Sequence, residues 1–137
     1  MKKRLLALVM VLVLMLATVS SALAAKPTAT INKASKNQTV KVGKEINFKF
    51  SLNSGSYSKK GGFYRAKLGI LIMKDGDKMG SASWVWTGKQ VYSCKAKLKK
   101  TAPLGKYNLQ YTTYYRKNGS ADWKKVKTQS TKFTVKK

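Results

Sequence analysis

The chain has 137 residues, with 29 Lys and Arg against 4 Asp and Glu and no histidine, a formal net charge of +25. The missing histidine removes the usual general base near neutral pH and the usual ligand of catalytic zinc, and a single cysteine, Cys94, excludes an intramolecular disulfide framework. A surplus of this size draws in anions over roughly a Debye length, ~8 to 10 Å, so a negatively charged partner is expected.

Lys2, Lys3 and Arg4 form a basic start, Leu5 to Val19 is apolar and uncharged, and Ala22-Leu23-Ala24 places small residues where a signal peptidase reads them. Residues 1–24 therefore read as a cleaved signal peptide and residues 25–137 as a secreted or cell-surface domain. A retained anchor is the competing reading, because the apolar run approaches the ~17 to 25 residues that span a bilayer. Lys26 follows Ala25, so the cysteine of a lipid-anchored bacterial protein is not there. Loss of the three leading cations leaves 26 basic and 4 acidic residues, net +22. The remaining length suits one domain burying somewhat over ~60% of its unfolded surface.

Period-two alternation dominates the chain after the leader, and helical periodicity is nearly absent. Short strands are expected over Thr28 to Lys33 and Thr39 to Val42, with a reversal at Val42-Gly43-Lys44. Ile46, Phe48, Phe50 and Leu52 then alternate with Asn47, Lys49 and Ser51, a strand with one wet face. Asn53 to Gly62 is a Ser/Gly/Lys loop with little reason to order. Tyr64, Ala66, Leu68, Ile70 and Ile72 form the next alternating set, and Asp75-Gly76 turns the chain toward Ala82 to Trp86, whose tryptophans read as core or as a sugar-stacking platform. Beyond Thr87-Gly88, Tyr92, Cys94, Ala96 and Leu98 alternate and point Cys94 inward; an exposed thiol pairing two chains is the alternative. Next come Tyr107, Leu109, Tyr111, Thr113 and Tyr115, then Asn118-Gly119 as a second dipeptide that accepts φ > 0, then Trp123 to Thr128 and Lys132 to Val135. Seven to nine short strands with regular turns predict an all-β fold, a single antiparallel β-sandwich.

Pro103-Leu104-Gly105-Lys106-Tyr107-Asn108-Leu109, followed by Tyr111, resembles the Pro-x-Gly-x-Tyr-x-Leu corner before the penultimate strand of bacterial immunoglobulin-like and fibronectin-like domains. Lys132 to Val135 is similar to that family's closing strand and Val40 to Phe50 to its early strands, so the resemblance covers most of residues 28 to 137. It implies an immunoglobulin-like sandwich in which the Tyr107 hydroxyl ties back to the preceding corner. Paired cysteines of the antibody type are missing, since Leu109 stands where the second would fall. The fold hosts many functions and argues architecture alone.

Glu45, Asp75, Asp77 and Asp122 are the only carboxylates after the leader. Asp75 and Asp77 share a lysine-flanked turn and fall short of the 6 to 8 oxygens that calcium takes; no metal, no cofactor and no enzymatic activity are expected. The cations are 24 lysines with Arg65 and Arg116, mobile point charges suited to loose, salt-sensitive attraction to a polyanion with little sequence readout. Lys49, Lys95 and Lys97 are expected on one outward face, with Lys99 and Lys100 extending the row, and the last strand adds Lys124, Lys125 and Lys127. Arg65, Lys67, Tyr114 and Trp123 are expected on the other sheet as a mixed aromatic and basic face. Trp123, in the Arg116 to Trp123 hairpin, either caps the sandwich end or meets a ligand.

The expected function is a secreted, non-enzymatic binding module adhering to an anionic extracellular polymer, with teichoic acid, another acidic envelope glycan, extracellular DNA and acidic lipid headgroups as candidates. No stable membrane insertion is expected. The alternatives are a cationic antimicrobial or toxin acting on anionic membranes, and an adaptor domain meeting an acidic protein in a secreted assembly.

Overall fold

A computed structural model describes residues 24–137; the expectation of an export signal, apart from Ala24, falls outside the described residues. The strands are β1 Thr28–Ile31, β2 Thr39–Lys41, β3 Glu45–Asn53, β4 Ala66–Lys74, β5 Asp77–Trp86, β6 Lys89–Lys97, β7 Gly105–Tyr115 and β8 Lys124–Lys136, with one 3-10 turn at Lys33–Ser35. They form a three-stranded sheet, β1-β3-β6, and a five-stranded sheet, β2-β8-β7-β4-β5. The fold is an immunoglobulin-like β-sandwich.

Alternation in the strands builds the core directly. Ile46, Phe48, Phe50 and Leu52 of β3 are buried together with Ala66, Leu68, Ile70 and Ile72 of β4 and Tyr107, Leu109 and Tyr111 of β7. The sheets interlock through aromatic edges: Phe48 meets Phe133 at 5.5 Å between ring centroids and Phe50 meets Tyr111 at 5.3 Å. Each buried Phe, Leu or Ile is worth about 1.5 to 3 kcal/mol of apolar transfer, so this double layer carries the fold without a disulfide. Cys94 is buried within it. Trp86 is buried as well, while Trp84 is half-buried with its ring 5.0 Å from Tyr92.

The corner before β7 is closed by a hydrogen bond from the Tyr107 hydroxyl to the Pro103 carbonyl oxygen, 2.6 Å long. Gly105, at φ 115°, occupies backbone space that L side chains rarely adopt. The Tyr107 ring stacks on Phe133 at 5.2 Å, so one side chain fixes the corner and fills the core.

The sheets are not wholly antiparallel as expected. β2 runs parallel to β8, with Thr39 opposite Thr134 and Lys41 opposite Lys136. After β1 the chain leaves the three-stranded sheet through the 3-10 turn, capped by Asn32 Oδ1 accepting from Ala34 N–H at 2.9 Å, and crosses to the other sheet. Gln38 Nε2 donates to the Ser35 and Asn47 carbonyls, both at 3.0 Å, and fixes that crossing. A strand entering the second sheet at its edge by this route runs alongside β8 in the same direction, and Gly43, at φ 77°, then returns the chain to β3.

Two loops also differ from expectation. The segment 53–62 is tied down: Ser54 is fully buried, its N–H donates to the Gly88 carbonyl at 2.9 Å and its Oγ accepts from Gly88 N–H at 2.8 Å. Ser56 and Ala25 exchange two further bonds. Short polar side chains here replace a strand ladder. Asp75-Gly76 has φ of 50° and 84°, the tight hairpin expected. Asn118-Gly119 is different, because neither residue adopts positive φ. Asn118 Oδ1 instead accepts from the N–H groups of Ser120 at 3.1 Å and Ala121 at 2.8 Å, shaping a broader loop. The ring of Phe63 lies so close to Gly119 that a Cβ there would overlap it. Close approach, and not a dihedral, requires this glycine.

Candidate functional site

On the outer face of the three-stranded sheet, Lys49 stands opposite Ser93, Lys95 opposite Asn47 and Lys97 opposite Glu45. All three lysines are exposed and share one face. Lys95 and Lys97 repeat at strand spacing, ~6.6 Å. Glu45 Oε1 lies 3.5 Å from Lys95 Nζ with both side chains more than half exposed, a geometry worth about 0 to 1 kcal/mol. This row is a sparse, hydrated set of charges.

Lys124, Lys125 and Lys127 do not form a comparable row. Lys125 stands opposite Tyr114, but Lys124 stands opposite Tyr115 and Lys127 opposite the buried Thr113, after a register shift between Thr113 and Tyr114. Lys127 keeps the inner side of Thr113 by ordinary alternation, and the irregularity beyond it turns Lys125 to the outer face of the five-stranded sheet and Lys124 to the inner side. A one-residue bulge reverses the facing of everything beyond it.

The densest grouping lies at one end of that outer face. Lys67 of β4 stands opposite Tyr114 of β7. Tyr114 lays its ring along the sheet over Gly69, where an added Cβ would sit 3.3 Å from Tyr114 Cε2. The Lys67 ammonium is 4.7 Å from the ring centroids of both Tyr114 and Trp123. Arg116 lies 4.2 Å from the same Trp123 ring, so two cations share one indole. Cation–π attraction of about 0.5 to 1 kcal/mol at such sites offsets part of their mutual repulsion. Burial, and then the neighbouring Arg116 guanidinium, hold the Lys67 pKa below the usual lysine range. Among the described residues neither cation has a carboxylate partner within ion-pair distance; the two ion pairs found there are Lys74 with Asp75 and Lys95 with Glu45.

Arg116 was not among the site residues expected from the sequence. Its Nε donates to the Tyr64 carbonyl at 2.9 Å and its Nη1 to the Gly119 carbonyl at 3.1 Å. It thus pins two loops together while presenting its charged plane to Trp123. The only sequence signal was its position in the loop that also carries Trp123. Arg65, by contrast, leaves the expected face. It precedes β4, so strand alternation does not govern it, and its guanidinium lies 5.2 Å from the Tyr57 ring with Nη2 donating to the Ser56 carbonyl at 3.4 Å. Tyr57 in turn meets Tyr115, 4.7 Å away.

Beside the Lys67 and Tyr114 pair is a shallow depression of about 360 Å³, lined by Gly69, Ile70, Leu71, Gln110, Thr112, Tyr114, Lys125 and Thr128. It offers hydroxyl and amide groups next to charge and rings. Among the described residues there is no cluster of three or more His, Cys, Asp or Glu. The arrangement can hold an anion by charge, hydrogen bonding and stacking.

No protein-family model and no curated protein matches the chain. Solved structures similar to it include the C-terminal domain of wzt, at 17% identity and TM-score 0.54, covering 72% of this chain and 64% of that one. A CARDB domain from Pyrococcus furiosus, solved in complex with di-metal ions, aligns at 13% identity and TM-score 0.49 over 80% of this chain and 92% of that one. A family 123 glycoside hydrolase from Clostridium perfringens aligns at 11% identity and TM-score 0.50 over 81% of this chain and 27% of that one. The chain thus spans under two thirds of the wzt domain. At this identity the wzt likeness shows the sandwich fold alone.

Proposed function

We propose that the protein is a non-enzymatic binding module that adheres by charge to an anionic polymer outside the cell. The observation that carries this reading is the pairing of Lys67 and Arg116 on one tryptophan with no carboxylate between them. Packing two cations side by side opposes folding, and an anion seated against them removes that opposition. The surrounding surface supports the reading: of 26 basic residues after the leader, two are in ion pairs among the described residues. The polymer meets the ring-bearing end of the five-stranded sheet, and the Lys49, Lys95 and Lys97 row lies on the opposite outer face.

Retention of the protein on teichoic acid, an acidic glycan, DNA and anionic vesicles, titrated with salt, tests this. The expected result is a steep linear fall of log affinity with log salt, at similar strength for polymers of equal charge density. Lys67→Gln/Lys125→Gln is expected to weaken retention more than Lys49→Gln/Lys95→Gln, although each pair removes the same charge. Salt-indifferent binding to a neutral sugar would overturn the proposal. Leakage of the vesicles at low protein concentration would replace it with a membrane-damaging cation.

A further inference from the structure

The edges of the two sheets are guarded unequally. An open strand edge presents unpaired N–H and C=O groups and is ordinarily blunted by charge, shortness or a covering segment. β1 is four residues long. β6 exposes Lys89, Lys95 and Lys97, and β8, beyond its short pairing with β2, exposes Lys124, Lys125, Lys127 and Lys132. β5 has ten residues and, among the described residues, β4 as its only strand partner. It carries Asp77 and Lys78 at its start and no charge from Met79 to Trp86. Ser81, Ala82 and Ser83 are exposed and small.

We infer that β5 pairs antiparallel with β5 of a second copy, joining two five-stranded sheets across a two-fold axis. Charge selects this occupant. An acidic strand would find no cation along Met79 to Trp86, whereas two copies of a strongly basic chain repel wherever lysines face each other and meet without that repulsion here. In a pairing centred on Ala82, Ser81 lies opposite Ser83 and Gly80 opposite Trp84, and Lys78, beyond the unpaired Met79 of the β5 irregularity, meets the uncharged end of the partner strand, so no like charges stand directly opposite across the axis. Such a contact is self-complementary and closed, producing a dimer and not a fibre. The remaining charge of the two copies still opposes it at a distance, so screening strengthens it. That is the reverse of polyanion binding.

Sedimentation velocity of the protein expressed from its full sequence, with no polyanion present, tests the inference. Raising salt from about 0.1 M to about 1 M shortens the Debye length from ~10 to ~3 Å, and dimerisation is expected to tighten by roughly tenfold. Ser83→Lys and Ser81→Glu are each expected to weaken the dimer, and an equimolar mixture of the two, in which the changed positions stand directly opposite each other, to restore it as a heterodimer, which a variant that had failed to fold would not do. A protein that remains monomeric at high salt, or a dimer indifferent to both variants, overturns the inference. Polyanion retention is unaffected by either outcome, so the two readings fail separately.

Discussion

The ring of Phe63 rests on the backbone of Gly119, in a contact that leaves no room for a side chain. It joins the loop before β4 to the loop before β8, the same two loops that Arg116 ties through Tyr64 and Gly119. Gly119→Ala is expected to destabilise by about 1 kcal/mol, because Phe63, already 54% exposed, must swing away. In a Phe63→Ala background the same change is expected to be neutral or slightly stabilising, since Gly119 does not adopt positive φ. A double-mutant cycle by chemical denaturation measures the coupling; equal effects in both backgrounds would place the cost elsewhere.

Tyr107→Phe removes the hydroxyl bond to Pro103 and keeps the stacking on Phe133. The loss is expected to be about 1 to 1.5 kcal/mol, appearing as a lower denaturation midpoint with an unchanged denaturant slope. A Phe variant as stable as the parent would show the corner to be held by packing alone.

Burial pushes the Cys94 thiol up to about 11 from an ordinary value of 9.0. The unfolded chain therefore gives up its proton first. The contribution of Cys94 is fully present below pH 9 and declines toward pH 11 by roughly 2 to 3 kcal/mol. Burial also raises Tyr107 and Tyr111, so the comparison is wild type against Cys94→Ala. The stability gap between them should narrow as pH rises through that window, and parallel curves would refute the assignment.

Lys67 loses its proton below the usual lysine range because of burial and Arg116. A bound anion favours the charged form, so retention on a polyanion falls as pH rises through that lowered value. Lys67→Arg keeps its charge throughout. Its retention should decline at higher pH than that of the wild type, and coincident pH profiles would remove Lys67 from the site.

The inner faces of the strands were readable in the pattern of single segments. Ile46, Phe48, Phe50 and Leu52 declare an inner face by alternation alone, and the spacing from Pro103 to Leu109 marks the corner. What depends on contacts between distant segments was not readable. The crossing of β2 to the second sheet rests on Gln38 reaching Ser35 and Asn47, and Gly119 looked like turn chemistry because its reason lies 56 residues upstream in Phe63. The candidate site divided in the same way. Lys49, Lys95 and Lys97 obey the pleat and share their expected face. Lys125 and Lys127, two apart and expected on one side by alternation, part at an irregularity that no local pattern announces. Arg65 sits just outside its strand, where alternation has no force.

The parallel pairing of β2 with β8 has a mechanical consequence. Val42 N–H donates to the Lys136 carbonyl at 2.7 Å and Thr134 N–H to the Gln38 carbonyl at 2.8 Å. Tension that draws the two chain ends apart, once β1 has peeled away, drags these strands in opposite directions along their length. The bonds then share the load simultaneously instead of opening in succession. Single-molecule pulling on the two ends of a Val42→Pro variant, which lacks one of the donors, should show this short clasp yield at lower force.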